Sequence, residues 1–122
     1  ELNDKLYHQS IQEMKWADDM IERILMLDGL PNLQELGKLF IGEDVIEIIE
    51  CDLRLETQKL AVTKKAIALC EAQQDFVSRK LLTKINDGQE EYIDWLETQQ
   101  GLIALMGKEK YIQSMMADWF LA

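Results

Sequence analysis

Gln12-Glu13-Met14-Lys15-Trp16 lies inside a long, uninterrupted helical pattern, and Gln89-Glu90-Glu91-Tyr92 lies inside another. The first reads Glu-x-x-Trp and the second Gln-x-x-Tyr. A spacing of three sets two side chains one turn apart on the same helix face. With Glu and His at those positions, two such helices facing each other in a bundle can hold a pair of irons. Here the spacing is kept, but one ligand of the first copy and both of the second are replaced. The pattern predicts helices packed face to face and leaves open whether a metal ever sat between them.

Outward from Glu13 the period of 100° per residue extends over a first helix, 3–28. Its inward stripe is Leu6, Gln9, Glu13, Trp16, Ala17, Met20, Ile24 and Leu27. Gly29 ends it in the position expected after the last periodic residue, with Pro31 close behind. A second apolar stripe about a quarter turn away carries Tyr7, Ile11, Met14, Ile21 and Leu25, so this helix buries more than one side. His8, Gln12, Lys15, Asp19 and Glu22 form its wet face. Residues 29–43, studded with leucine, are long for a structureless loop and predict a strap joining two parallel helices.

A second helix is predicted over 44–72, with Val45, Ile49, Asp52, Leu53, Leu60, Thr63, Ile67 and Cys70 inward and Glu56 in the middle of that face. A third, over 75–105 with Asp75 as N-cap, turns Ser78, Leu82, Ile85, Gln89, Tyr92, Ile93, Leu96, Gln100 and Ile103 inward. Asn86-Asp87-Gly88 is a place for a kink. A short fourth helix, 108–120, carries so many apolar residues (Tyr111, Ile112, Met115, Met116, Trp119, Phe120, Leu121) that a subunit junction is the expected place for it. The class is all-α, a single domain over 1–122.

Bulk properties narrow the function. A net charge of −10 argues against a nucleic-acid or anionic-membrane surface. No apolar run approaches the ~18 residues a membrane span needs. No secretory leader is seen, and the sequence opens mid-pattern without a Met, as a fragment would. Cys51 and Cys70 share one predicted helix, about 28 Å apart at 1.5 Å per residue, so they cannot pair. A reducing, cytoplasmic setting is the default. His8 is the only histidine, which leaves hydrolytic triads and multi-His metal sites unsupported. Glu13 and Glu56 are carboxylates on apolar stripes; each needs a metal, a hydrogen bond or a partner such as Gln9, Gln89 or Tyr92.

A specific likeness runs through nearly the whole chain. Tyr7-His8-Gln9-Ser10-Ile11-Gln12-Glu13-Met14-Lys15, Ile21-Glu22-Arg23-Ile24-Leu25, Gly29-Leu30-Pro31-Asn32-Leu33, Ile41-Gly42-Glu43-Asp44, Asp75-Phe76-Val77-Ser78-Arg79 and Ile93-Asp94-Trp95-Leu96-Glu97-Thr98 resemble bacterioferritin. The resemblance implies a ferritin-like four-helix bundle with a short extra helix, assembled into a hollow shell that stores ferric mineral. It implies a b-type haem held between two subunits by a Met from each, and Met14 matches that ligand. The family's first helix is missing from this sequence.

The departures define the expected function. The resemblance places Glu13 and Glu56 at di-iron ligand positions, Trp16 and Tyr92 where His belongs, and Gln89 where Glu belongs. Indole offers no lone pair to a metal, Gln supplies a neutral oxygen, and a neutral phenol is a poor ligand for Fe(II). Gln12 replaces an acid that joins His8 at an inner-surface iron site, and Lys110 puts a cation near the family's pore. The expectation is a haem-binding, ferroxidase-deficient shell subunit, in a homo-oligomer or in a hetero-oligomer with a ferroxidase-active subunit. The alternatives are a subunit that still oxidises Fe(II) slowly through Glu13 and Glu56, and a helical protein with Trp16 filling the old cavity and no cofactor.

Overall fold

The computed structural model describes residues 2–30 and 44–121, which form α1 (Leu2–Met26), α2 (Val45–Ala72), α3 (Phe76–Met106) and α4 (Lys108–Leu121). No strand occurs among the described residues, and no helix among them is long and apolar enough to cross a membrane. Apart from Gly29 and Leu30, the leucine-studded connection lies outside the described residues.

Helix ends follow local chemistry. α1 stops two residues earlier than the periodicity suggests, because Asp28 takes the left-handed conformation (φ 62°) expected of a glycine. Gly29 N–H then closes on the Ile24 carbonyl at 2.9 Å and Asp28 N–H on Leu25 at 3.0 Å, a Schellman closure displaced one residue from Gly29. α2 ends the same way: Gln74 sits at φ 59°, and Asp75 N–H bonds the Cys70 carbonyl at 2.8 Å. Asp75 then caps α3, as predicted, accepting from Ser78 N–H at 3.1 Å. α3 runs through Asn86-Asp87-Gly88 without a break. At Gly107 (φ 88°) the chain leaves α3 and enters α4 with no intervening loop, a conformation only glycine adopts freely.

Arg23, near the end of α1, donates to Asp75 and Ser78 at the start of α3, each at 2.9 Å. At the other end Leu2 and Leu6 pack with Trp95 and Ile103 around the core. α1 and α2 thus both run antiparallel to α3 and parallel to each other, as a long crossover requires. The core proper is Ile49, Tyr92, Leu96 and Tyr111, all essentially inaccessible to solvent. Tyr111 changes one expectation. Its hydroxyl donates to Gln99 Oε1 at 2.7 Å, so Gln99 is the buried glutamine of α3, with Gln100 only half-buried. The inward face of α3 rotates by one residue there because α4 folds back over its last turns. Tyr111, with Ile112 and Met115 around it, therefore packs on this chain's own core.

α2 and α3 pack on each other more closely than α1 does on either. Between α1 and α2 a cleft of about 550 Å³ stays open, lined by Trp16, Met20, Leu55, Val62 and Ile85 among others. Ala17 lines that cleft and is exposed although it belongs to the inward stripe of α1, and Ile24 and Leu27 of the same stripe are exposed beside Ser78 and Leu82 of α3.

Candidate functional site

Glu13 projects from the middle of α1 and Glu56 from the middle of α2, and the bundle brings the two carboxylates into hydrogen-bonding contact. Glu56 is 3% exposed. Lys59, one turn along α2 from Glu56, reaches back between them: its Nζ lies 3.2 Å from Glu56 Oε1 and 3.3 Å from Glu13 Oε1. Gln9 Nε2 adds a longer contact to Glu13 at 3.4 Å.

The electrostatics follow from burial and from that shared geometry. Burial, then the hydrogen bond with Glu13, push the Glu56 carboxyl up to about 7. Burial acts upward on Glu13 as well, but the hydrogen bond with Glu56 and the Lys59 charge outweigh it and hold Glu13 below the usual carboxylate range. Burial also works against the Lys59 charge, and the two carboxylates overcome it and raise its pKa. Of the two acids, Glu56 is the one that holds its proton more strongly.

The positions where the resemblance expects histidines are occupied in other ways. Trp16 is 6% exposed, and its indole lies on α3 directly over Gly88. A Cβ at residue 88 would stand 2.4 and 2.5 Å from two ring carbons, so the glycine is the recess that admits the ring. Gly88 thus serves packing across helices and does not break its own. Tyr92 donates its hydroxyl to Asp52 Oδ2 at 2.7 Å and stacks on Trp95. Burial first, then the hydrogen bond to Asp52, raise its pKa and keep the phenol neutral. Gln89 is buried, with Oε1 unpartnered in the protein, and so are Trp16 Nε1 and Glu56 Oε2.

Of the sequence-predicted site residues, Glu13, Glu56, Trp16, Gln89 and Tyr92 share this region of the bundle interior. No group of three or more His, Cys, Asp or Glu side chains is placed to hold a metal ion among the described residues. Two carboxylates, an ammonium and an indole do not make a di-iron donor set. Met14 stands apart, 59% exposed on the outer side of α1 with Tyr7, Ile11, Ile21 and Leu25 along the same stripe. His8 is exposed and packs edge-on against Tyr7.

Motif reading passes over Lys59, Gly88 and Asp52 as members of the site. The run Glu56-Thr57-Gln58-Lys59 carries a usable signal, since acid and base three apart share a helix face. The pairing of Trp16 with Gly88 has no signal of that kind, because it depends on the register between α1 and α3.

Residues 1–106 match the family model described as a ferritin-like domain. The bacterioferritin of Mycobacterium leprae is 41% identical over 111 residues, covering 91% of this chain and 70% of that protein. The bacterial ferritin of Pseudomonas aeruginosa is 43% identical over 114 residues, covering 93% and 73%. The bacterioferritin of Mycobacterium tuberculosis is 45% identical over 103 residues, covering 84% and 65%.

Proposed function

The chain belongs to the ferritin-like family, among the bacterioferritins, and from that membership we propose that it is an iron-storage shell subunit that binds haem b through Met14 and lacks a working di-iron centre of its own. Iron is its cargo. A surface carrying a net charge of −10 favours the approach of cations.

The observation that carries the haem assignment is the placement of Met14. An exposed thioether in the middle of an apolar stripe is a soft donor on a surface suited to a second copy of the same helix. Two copies meeting on that stripe would bring together one Met from each, and these thioethers would hold the haem iron. Tyr7, Ile11, Ile21 and Leu25 supply apolar walls for the macrocycle along the same face. When bound, the haem supplies a one-electron redox centre.

The indole over Gly88 and the Lys59 contact to both carboxylates support the loss of the oxidation centre. Glu13 and Glu56 keep their ligand positions and take a structural part in the bundle instead of an iron-oxidising one. Such a subunit contributes wall and electron path, alone or beside a ferroxidase-active subunit, and works in the cytoplasm.

Absorption spectroscopy of the purified assembly, with its mass and iron content, tests the reading. A haem spectrum present in the wild type and absent in Met14→Leu supports it. A colourless assembly that cannot be reconstituted with haem refutes the haem assignment. Fe(II) oxidation above the buffer rate that disappears in Glu56→Ala would establish the slow-oxidase alternative.

A further inference from the structure

We propose that the Lys59 ammonium is the resident cation of the Glu13–Glu56 site: it supplies from within the chain the positive charge that a metal ion would otherwise bring, and it excludes divalent cations from the pair. The inference deepens the reading that the di-iron centre is lost and rests on it.

Three observations converge on Lys59. Its Nζ lies within 3.3 Å of an oxygen of each carboxylate, so it stands at the point from which one cation could reach both. Its position is fixed by α2, because it follows Glu56 by one turn and its aliphatic stem lies along the cleft wall. Once the ammonium is gone, a divalent ion there would hold only the two carboxylates and water, with no further protein donor. Trp16, which lines the same cleft, offers no lone pair, Asp52 is engaged by Tyr92, and no third acid, thiol or imidazole of the described residues converges there. Divalent cations take four to eight ligands and tolerate no ammonium in the first coordination sphere. An ammonium, by contrast, has three donors and is satisfied by the two oxygens it meets and one contact to water.

Buried carboxylates without a counter-charge are costly, and removing one partner of such a cluster destabilises more than the cluster ever contributed. The charge on residue 59 should therefore matter more than its bulk. Lys59→Met keeps the length and apolar stem and removes the charge; Lys59→Arg keeps the charge.

The test is thermal unfolding of the full chain, with and without Mn²⁺, at fixed protein concentration. Wild type and Lys59→Arg should unfold at similar temperatures, and neither should respond to Mn²⁺. Lys59→Met should lose about 5 °C or more, recover part of that on adding Mn²⁺, and recover most of it when Glu56→Gln is added. If Lys59→Met fails to fold while Lys59→Met/Glu56→Gln folds, the proposal stands. It is overturned if Mn²⁺ stabilises the wild type in a way that Glu56→Gln abolishes. It is also overturned if Lys59→Met unfolds at the wild-type temperature, or if Lys59→Met and the double variant are equally destabilised. Haem content and Fe(II) oxidation report on the proposed function separately, so failure of one reading is distinguishable from failure of the other.

Discussion

Replacing Gly88 by alanine tests the packing of Trp16 on α3. In an open helix interior, Gly→Ala stabilises by about 1 kcal/mol, because glycine has more backbone freedom to lose. Gly101, also within α3, is such an open position, with nothing within 4 Å of a built Cβ. At Gly88 the same methyl would lie 2.4 Å from a Trp16 ring carbon, where ordinary contact begins near 3.4 Å, so the indole must retreat by about 1 Å. Overpacking of that kind typically costs about 1–3 kcal/mol. The net expectation is a loss of ~0–2 kcal/mol for Gly88→Ala beside a gain of about 1 kcal/mol for Gly101→Ala. In a Trp16→Leu background the obstruction is gone, and Gly88→Ala should become stabilising by about 1 kcal/mol. Urea unfolding midpoints at one protein concentration, compared among variants with a common m-value, give all three numbers. If Gly88→Ala stabilises the wild type as much as Gly101→Ala does, the indole does not rest in that recess and this account of its packing is wrong.

Other perturbations reach different parts of the molecule. Tyr111→Phe deprives buried Gln99 Oε1 of its donor and should cost about 1–3 kcal/mol by denaturant unfolding; a neutral result would mean that water reaches Gln99. Glu56 titrates at about 7 in the folded chain and near 4.5 unfolded, so folding takes up a proton between those values and stability should fall as pH rises through that window. Glu13, held below 4.5, contributes in the opposite sense and only at the acid end, as its stabilisation is lost on protonation. Glu56→Gln should therefore flatten melting temperature between pH 5 and about 7; an unchanged slope would assign the dependence to other groups. Met14→Leu should abolish haem absorption while leaving the helical circular dichroism unchanged, since the side chain is 59% exposed.

Architecture was largely legible in the residues because period and caps are local properties. The 3.6-residue stripes around Glu13, Glu56 and Gln89 place the helices, and Asp75 marks the start of α3. Helix ends were less so: Asp28 and Gln74 take left-handed conformations that their residue types do not advertise, and Gly29 draws attention away from Asp28. The particular contacts between helices were less so. Gln99 is buried in place of Gln100 because α4 returns over α3, and Gly88 lies beneath Trp16 because α1 and α3 meet in one register. Lys59 belongs to an intermediate kind. Its spacing from Glu56 is visible in the chain, but only the approach of α1 turns a helix-surface ion pair into a bridge between two acids.

The unequal packing of the helices sets the order in which the protein comes apart. α2 and α3 are joined by Gln73, Gln74 and Asp75, share the core around Ile49 and Leu96, and need little loop closure to find each other. α1 is fastened to α3 at separate points, the Arg23 clasp, the indole over Gly88 and the contacts of Leu2 and Leu6, with the open cleft on its α2 side. A hairpin that persists while its neighbour detaches is a cooperative unit in its own right. Backbone amides of α1 should therefore exchange with solvent through openings that leave α2 and α3 protected, so one helix can shift while the hairpin beneath it keeps its shape.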